Sequence, residues 1–365
     1  MTFRINRRRF IQTTSSAIAA GALATLPGRA SASSNELRVT VYGGQVADAL
    51  IETILKPFEA ETGIKMIPVT QDLVLSQLEL MVKTNNVTLD VGGGDRSQVL
   101  TARAKGLVED IDYSIYKKEE LDGFMSRDPA GVGQMVYSLN MVYNTNKYPN
   151  GKPRPANWAE FWDVERFPGV RYLVGGQYGN QGPWEEALLA DGVAPDKLYP
   201  LDIDRVFASL DKIRPHIRKW WDSGSEIQQL MQSGSGDVMH AYDGRALAAI
   251  DAGAPIEINR NQAKLIESQW LIPKGCPNLE NAQKFVEFAS RGDRQAAFCQ
   301  HYPQGPTNRN AFKHLPDDLA RKLTTYPEYM KQGIPVDGAW YIEVGSDGMT
   351  NTERLSKRWN QWIIQ

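Results

Sequence analysis

Tyr242-Asp243-Gly244-Arg245 gathers a phenol ring, a carboxylate and a guanidinium along one short stretch. An aromatic face beside a carboxylate suits an alkylammonium group, through cation–π attraction and charge-assisted hydrogen bonds. Asp243 can equally serve only as a helix cap, and Arg245 suits an anionic group. Asp95-Arg96-Ser97 follows Gly92-Gly93-Gly94. Asp95 either takes an ammonium, because a buried charge needs a partner, or caps the helix that follows. Arg96 either grips a carboxylate or phosphate bidentately or sits on the surface, as arginines generally do. Covalent and metal chemistry find no support. His216, His240, His301 and His314 lack metal-ligand spacing, and no Gly-x-Ser-x-Gly, P-loop or His-Glu-x-x-His occurs. No catalytic residue, metal or cofactor is expected.

The elements that must position these groups alternate strand and helix, the mark of α/β architecture. Residues 37–42 read as a strand ending in Gly43-Gly44. Leu50, Ile51, Ile54, Leu55 and Phe58 recur at helical spacing until Gly63 stops the helix. Residues 64–69 form the next strand, 73–83 a helix, and 89–91 a third strand that runs into the glycine triplet. Glycine loops at strand ends let backbone approach a ligand closely, and the helices they open present free N–H groups. Residues 134–139 and 140–143 read as consecutive strands crossing to a second lobe, where Asn157 caps a short helix. A strand over 237–241 enters the Tyr242 group. A return crossing at 268–272 leads to helices at 279–290 and 293–300, and 312–365 reads as helical packing across the lobes.

The N-terminus reads as a targeting segment. Arg7-Arg8-Arg9 precedes Phe10-Ile11, a weakly apolar stretch covers 17–26, and Ala30-Ser31-Ala32 offers small residues for cleavage. This resembles a twin-arginine signal, so export to the periplasm with cleavage near Ala32 is expected, with the Tat translocase as partner. The remaining chain of about 330 residues exceeds what one core supports and should divide into two lobes. The expected division is a signal over 1–32, one lobe from 33–135 plus 269–330, a second over 136–268, and a C-terminal segment over 331–365. A formal net charge of −2 without a basic stripe argues against a nucleic-acid partner. Cys276 and Cys299 are expected as buried thiols rather than a disulfide.

Several blocks, taken in order, are similar to one known family: Tyr42-Gly43-Gly44, KPFEAETGI (56–64), KGLVEDID (105–112), NWAEFWD (157–163), GDVMHAYDGRA (236–246), QWLIPKG (269–275) and YPQGPTN (302–308). The chain resembles the type II periplasmic binding proteins of the spermidine/putrescine-binding class. The resemblance implies a two-lobed α/β protein, each lobe a central sheet flanked by helices and joined by a strand hinge. It implies a monomer that closes on a small-molecule solute and delivers it to an ABC permease and ATPase in the inner membrane. It places the cleft at Tyr42, Gly43 and Gly44, at Asp95, Arg96 and Ser97, at Gln177, Tyr178 and Asn180, at Tyr242 and Asp243, and at Tyr302, Trp340 and Tyr341. Trp340 and Tyr302 either stack on the ligand or merely pack. In polyamine binders a Trp and an Asp two residues apart grip the ligand; Ile266 and Ser268 stand there, with Glu267 between them facing the opposite side of the strand unless a bulge intervenes. Gly44 and Val46 replace an aromatic–acidic pair at the first loop, and the adjacent tyrosines of ferric-iron binders are missing. The expected ligand is therefore an amine-bearing solute such as a polyamine relative, an ω-amino acid or an opine-like conjugate. The alternatives are an exported enzyme on the same fold and a ligand-presenting sensory protein.

Overall fold

The computed structural model describes residues 35–365, so the paired arginines, the apolar stretch and the Ala32 cleavage site lie outside the described residues. Strands β1 (Glu36–Thr40) and β2 (Lys65–Val69) pair in parallel from Glu36↔Lys65 to Thr40↔Val69. Leu37 and Val39 are fully buried on one face of β1, as a period of two requires. The helical spacing between them becomes Gly44–Leu50, a π-helical turn Ile51–Leu55 and Lys56–Thr62, ending at Gly63 in the left-handed region (φ 70°). Phe58 on this helix meets Phe285 and Phe288 edge-on.

Strand β3 is Gly92–Asp95, so the glycine triplet is itself a strand and not the loop after one. Its glycines answer to packing: a Cβ on Gly92 would strike Leu73, and one on Gly93 the Tyr42 hydroxyl. Strand β4 (Val132–Asn144) is one 13-residue strand where two were expected, bent by register shifts at Gly133/Met135 and Leu139/Met141. β5 (Arg171–Val174), β6 (Ile217–Trp221), β7 (Val238–Tyr242), the 16-residue β8 (Ile256–Leu271) and β9 (Ile334–Pro335) complete the set. The return crossing therefore starts well before residue 268. The larger sheet has the order β3-β8-β4-β7-β5-β6, with β9 on β8. It is mixed rather than parallel, because β8 is antiparallel to β3 and β4.

The architecture is two-lobed, and β4 and β8 join the lobes. Val132, Met135 and Trp270 belong to a core built on β1 and the helices around Phe285, whereas Leu139, Val142 and Ile266 belong to another built on Trp221 and Met239. A further core holds Trp184, Leu355, Trp359 and Trp362. The C-terminal segment contributes four helices (Asp317–Ala320, Pro327–Met330, Gly338–Ile342 and Asn351–Trp362) interrupted by β9. Its Trp359 packs on Trp184, while Gly338 lies beside Ser97.

A charged cluster is buried behind β7 and β8. Lys264 Nζ lies 2.7 Å from Glu185 Oε2 and 2.9 Å from Glu186 Oε2. His240 Nε2 is 3.2 Å from Glu186 Oε1, and Tyr341 donates to Glu185 Oε1 at 2.7 Å. Cys276 and Cys299 are free and buried. Among the described residues no helix is long and apolar enough to cross a membrane.

Candidate functional site

Strand alternation builds one wall of a cavity of about 290 Å³. Met135 and Tyr137 of β4 face it, with Met135 in register with Ser268 of β8, whereas Glu267 lies on the other side, where it accepts from Ser126. This volume sits just below the usual range for small-molecule sites, about 300–1,000 Å³. The remaining lining comes from both lobes: Tyr42, Val46, Tyr302 and Gln304, and Gly224, Tyr242, Asp243, Gly244 and Arg245.

Four tyrosines surround this space. Tyr42 follows β1 in the left-handed region (φ 59°) and donates to Gln134 Oε1 at 2.7 Å. Tyr242 ends β7, donates to Gln181 Oε1 at 2.5 Å, and meets Tyr137 and Trp221 edge-on with centroids 6.0 and 5.3 Å away. Tyr302 closes the helix Gly292–His301. Burial raises the pKa of Tyr42, Tyr137 and Tyr302 above the ordinary phenol value, so their hydroxyls stay protonated as donors. Asp243 is 1% exposed. Its Oδ1 accepts from Gly244 N at 2.8 Å, Ser138 N at 3.3 Å and Gln304 Nε2 at 3.4 Å, and Arg260 Nη1 stands 3.9 Å from Oδ2. Burial pushes its carboxyl above the usual range, with Arg260 and these donors opposing. It is the first residue of the helix Asp243–Asp251, and the N-cap position falls to Tyr242. Arg245 is exposed and donates to Gln228 Oε1 at 3.1 Å. Its ion-pairing capacity is open to a ligand carboxylate.

Asp95 is an N-cap. Its Oδ1 accepts from Ser97 N at 2.8 Å and Gln98 N at 3.2 Å, and Gln98 reciprocates to complete a capping box. The same oxygen also accepts from Asn180 Nδ2 at 3.2 Å, as does Ser97 Oγ. Asp95 and Ser97 thus tie the start of one helix to the turn after β5, and Ser97 and Asn180 line a second cavity and not this one.

Other expected contacts are placed elsewhere. Arg96 donates bidentately to Asp128, at 2.8 and 3.0 Å, and lines a different cavity, because a neighbouring carboxylate has already claimed its fork. Gln177 is exposed and donates to Asp222. The side chain of Tyr178, in the same 3₁₀ turn, lies outside the described part of the structure. Trp340 and Tyr341 are 7% and 0% exposed and pack against Tyr199 in a core, so they do not line this cavity. Gly43 and Gly44 are exposed at the start of a helix next to Tyr42; Gly44 needs its positive φ of 61°. Sequence reasoning passed over Met135, Tyr137, Gln181 and Gln304. Alternation along β4 was the signal for the first two, and the YPQGPTN block already contained Gln304. Among the described residues no group of His, Cys, Asp and Glu is placed to hold a metal.

The family profile described as bacterial extracellular solute-binding protein matches residues 53–331. The chain is 31% identical over 343 residues to the gamma-aminobutyric acid-binding protein of Pseudomonas aeruginosa, covering 92% of this chain and 93% of that protein. A solved ABC transporter substrate-binding protein from Bradyrhizobium japonicum aligns with a TM-score of 0.80 and 31% identity, over 90% of this chain and 99% of that one. The binding protein AgtB of Agrobacterium tumefaciens R10, solved with agropinic acid, aligns at a TM-score of 0.72 and 32% identity, with the same coverage.

Proposed function

The chain belongs to the bacterial extracellular solute-binding proteins, and from that premise we propose that it captures an amine-bearing solute for an ABC importer. The observation that carries this reading is the cavity ringed by Tyr42, Tyr137, Tyr242 and Tyr302, with Asp243 in its wall and Arg245 at its edge. Tyrosine faces attract an alkylammonium, and a guanidinium grips a carboxylate. The two chemistries together suit a zwitterion such as an ω-amino acid or an opine-like conjugate better than a polyamine. The names of two relatives, which bind gamma-aminobutyric acid and agropinic acid, support the same class. Within the family, the order of the sequence blocks favours the spermidine/putrescine class in architecture, while Ile266 and Ser268 remove its ligand grip.

In this reading, residues 33–135 with 269–330 form one lobe, 136–268 the other, and 331–365 pack across them. Closure by hinge motion excludes water from the cavity and strengthens the charged contacts. The closed monomer then delivers its solute to the permease and its ATPase. The protein works in the periplasm after export through the Tat translocase and cleavage near Ala32, and it acts by binding and not by catalysis.

Calorimetric titration tests this with 4-aminobutanoate, an opine conjugate, putrescine and an uncharged sugar. Saturable binding of an amine-bearing member is expected, weakened at least about tenfold in Tyr242→Ala, since a desolvated cation–π contact contributes about 2 kcal/mol. Tight binding of the sugar with no binding of any amine refutes it.

A further inference from the structure

A second cavity, of about 280 Å³, lies on the opposite face of the β4–β8 ribbon. Strand alternation puts it there. The register pair Met135↔Ser268 lines the tyrosine cavity, and the next pair, Val136↔Glu267, lines the second one. Met125, Leu265, Met330 and Val336 give it hydrocarbon walls. Its carboxylate is Glu267.

Glu267 is held but not neutralised. Ser126 Oγ approaches its two oxygens at 2.6 and 2.8 Å, and Gln269 Nε2 lies at 3.4 Å. One hydroxyl brings one proton, so the two short distances describe a single shared bond, while a carboxylate offers about four acceptor positions. Arg96 lines the same cavity but is bound bidentately by Asp128 at 2.8 and 3.0 Å, and Arg309 stands exposed. Among the described residues Glu267 has no ion-pair partner, although Arg96 acts on it from a distance. Burial pushes its carboxyl above the ordinary range, with Ser126 and Gln269 opposing. A half-buried carboxylate without an ion pair, beside the hydrocarbon of Met125, Leu265 and Met330, suits a cation with an apolar body.

We propose that this cavity is a second ligand site, taking a small primary alkylammonium whose nitrogen pairs with Glu267 and whose chain lies against Met125, Leu265 and Met330. The site does not depend on what the tyrosine cavity binds. Methionine methyl groups allow the two to be read separately, since Met125 and Met330 line the second cavity and Met135 the first.

The test is a titration of the methyl-¹³C-methionine protein with n-butylammonium chloride, followed by NMR, with sodium butyrate as the anionic control. Saturable shifts at Met125 and Met330 are expected with n-butylammonium and none with butyrate. Glu267→Gln keeps an acceptor for Ser126 but removes the charge, and should weaken binding at least tenfold. Met330→Trp, at a half-buried wall position, should abolish the response at Met125 by filling the space. Shifts confined to Met135, equal affinity in the parent and Glu267→Gln, or an equal response to butyrate would each overturn the proposal.

Discussion

Tyr242 and Lys264 carry the sharpest consequences of single side chains. Tyr242 presents both a ring and a hydroxyl, and Gln181 takes the hydroxyl at 2.5 Å. Tyr242→Phe should therefore lose one internal hydrogen bond, about 1 kcal/mol of stability, with little change in solute affinity, whereas Tyr242→Ala should weaken affinity substantially by calorimetry. Equal losses in both variants would assign the role to the hydroxyl alone. Lys264 faces two glutamates in a site where all three side chains are 1% exposed. Lys264→Met leaves those carboxylates buried without their cation and should cost about 3–5 kcal/mol in urea denaturation. A loss below about 1 kcal/mol would mean that the pair contributes little beyond packing. His240 adds a pH dependence. Burial lowers its pKa beneath the usual 6.5, against the pull of Glu186. Between its folded pKa and about 6.5 the unfolded chain binds a proton that the folded chain does not, so stability falls as pH drops through that window. His240→Gln should flatten this slope when unfolding is followed from pH 7 to pH 5.

At the scale of elements, the helix Arg96–Ala104 gives a way to separate capping from ligand contact. Asp95 caps it through Ser97 N and Gln98 N and also accepts from Asn180. Asp95→Ser retains a capping oxygen and removes the carboxylate, so thermal stability should change by less than about 1 kcal/mol, while solute affinity falls if the carboxylate senses the ammonium. Asp95→Ala should lose about 1 kcal/mol of helix stability as well. Such elements were readable where side chains carry a period. Leu50, Ile54, Leu55 and Phe58 announced their helix, and Thr62-Gly63 its end. The triplet Gly92-Gly93-Gly94 carries no pattern, so a strand selected for close packing under the Tyr42 hydroxyl looked like a loop. The first half of β8 hid for a different reason: Glu257, Asn259, Arg260, Asn261 and Gln262 are too polar to suggest a strand, and the pairing of residues 256–259 with β4 decides where it begins. The site shows the same division. Tyr242, Asp243, Arg245, Tyr42 and Tyr302 were named from local motifs and family likeness and lie together around one cavity. The diversion of Arg96 to Asp128 depends on a partner 32 residues away, and the burial of Trp340 and Tyr341 on contacts with Tyr199. No local spacing reveals either.

At the scale of the whole molecule, β4 and β8 join two bodies whose opposing surfaces meet near the tyrosine cavity. Gln304 bonds Asp243 at that cavity, and Asn180 bonds Asp95 and Ser97 beside the second one. Asn180→Ala should shift the population toward a more open form, seen as a larger radius of gyration by small-angle scattering without solute and recovered when solute saturates the cavity. No change in either state would show that these bonds do not govern closure. The measurement closest to the heart of the matter is native mass spectrometry of the protein purified from the cell that makes it. A retained small molecule of amine-bearing composition, released unchanged on denaturation, is the predicted result. A neutral carbohydrate in that place, or a solute chemically converted by the protein, would contradict it.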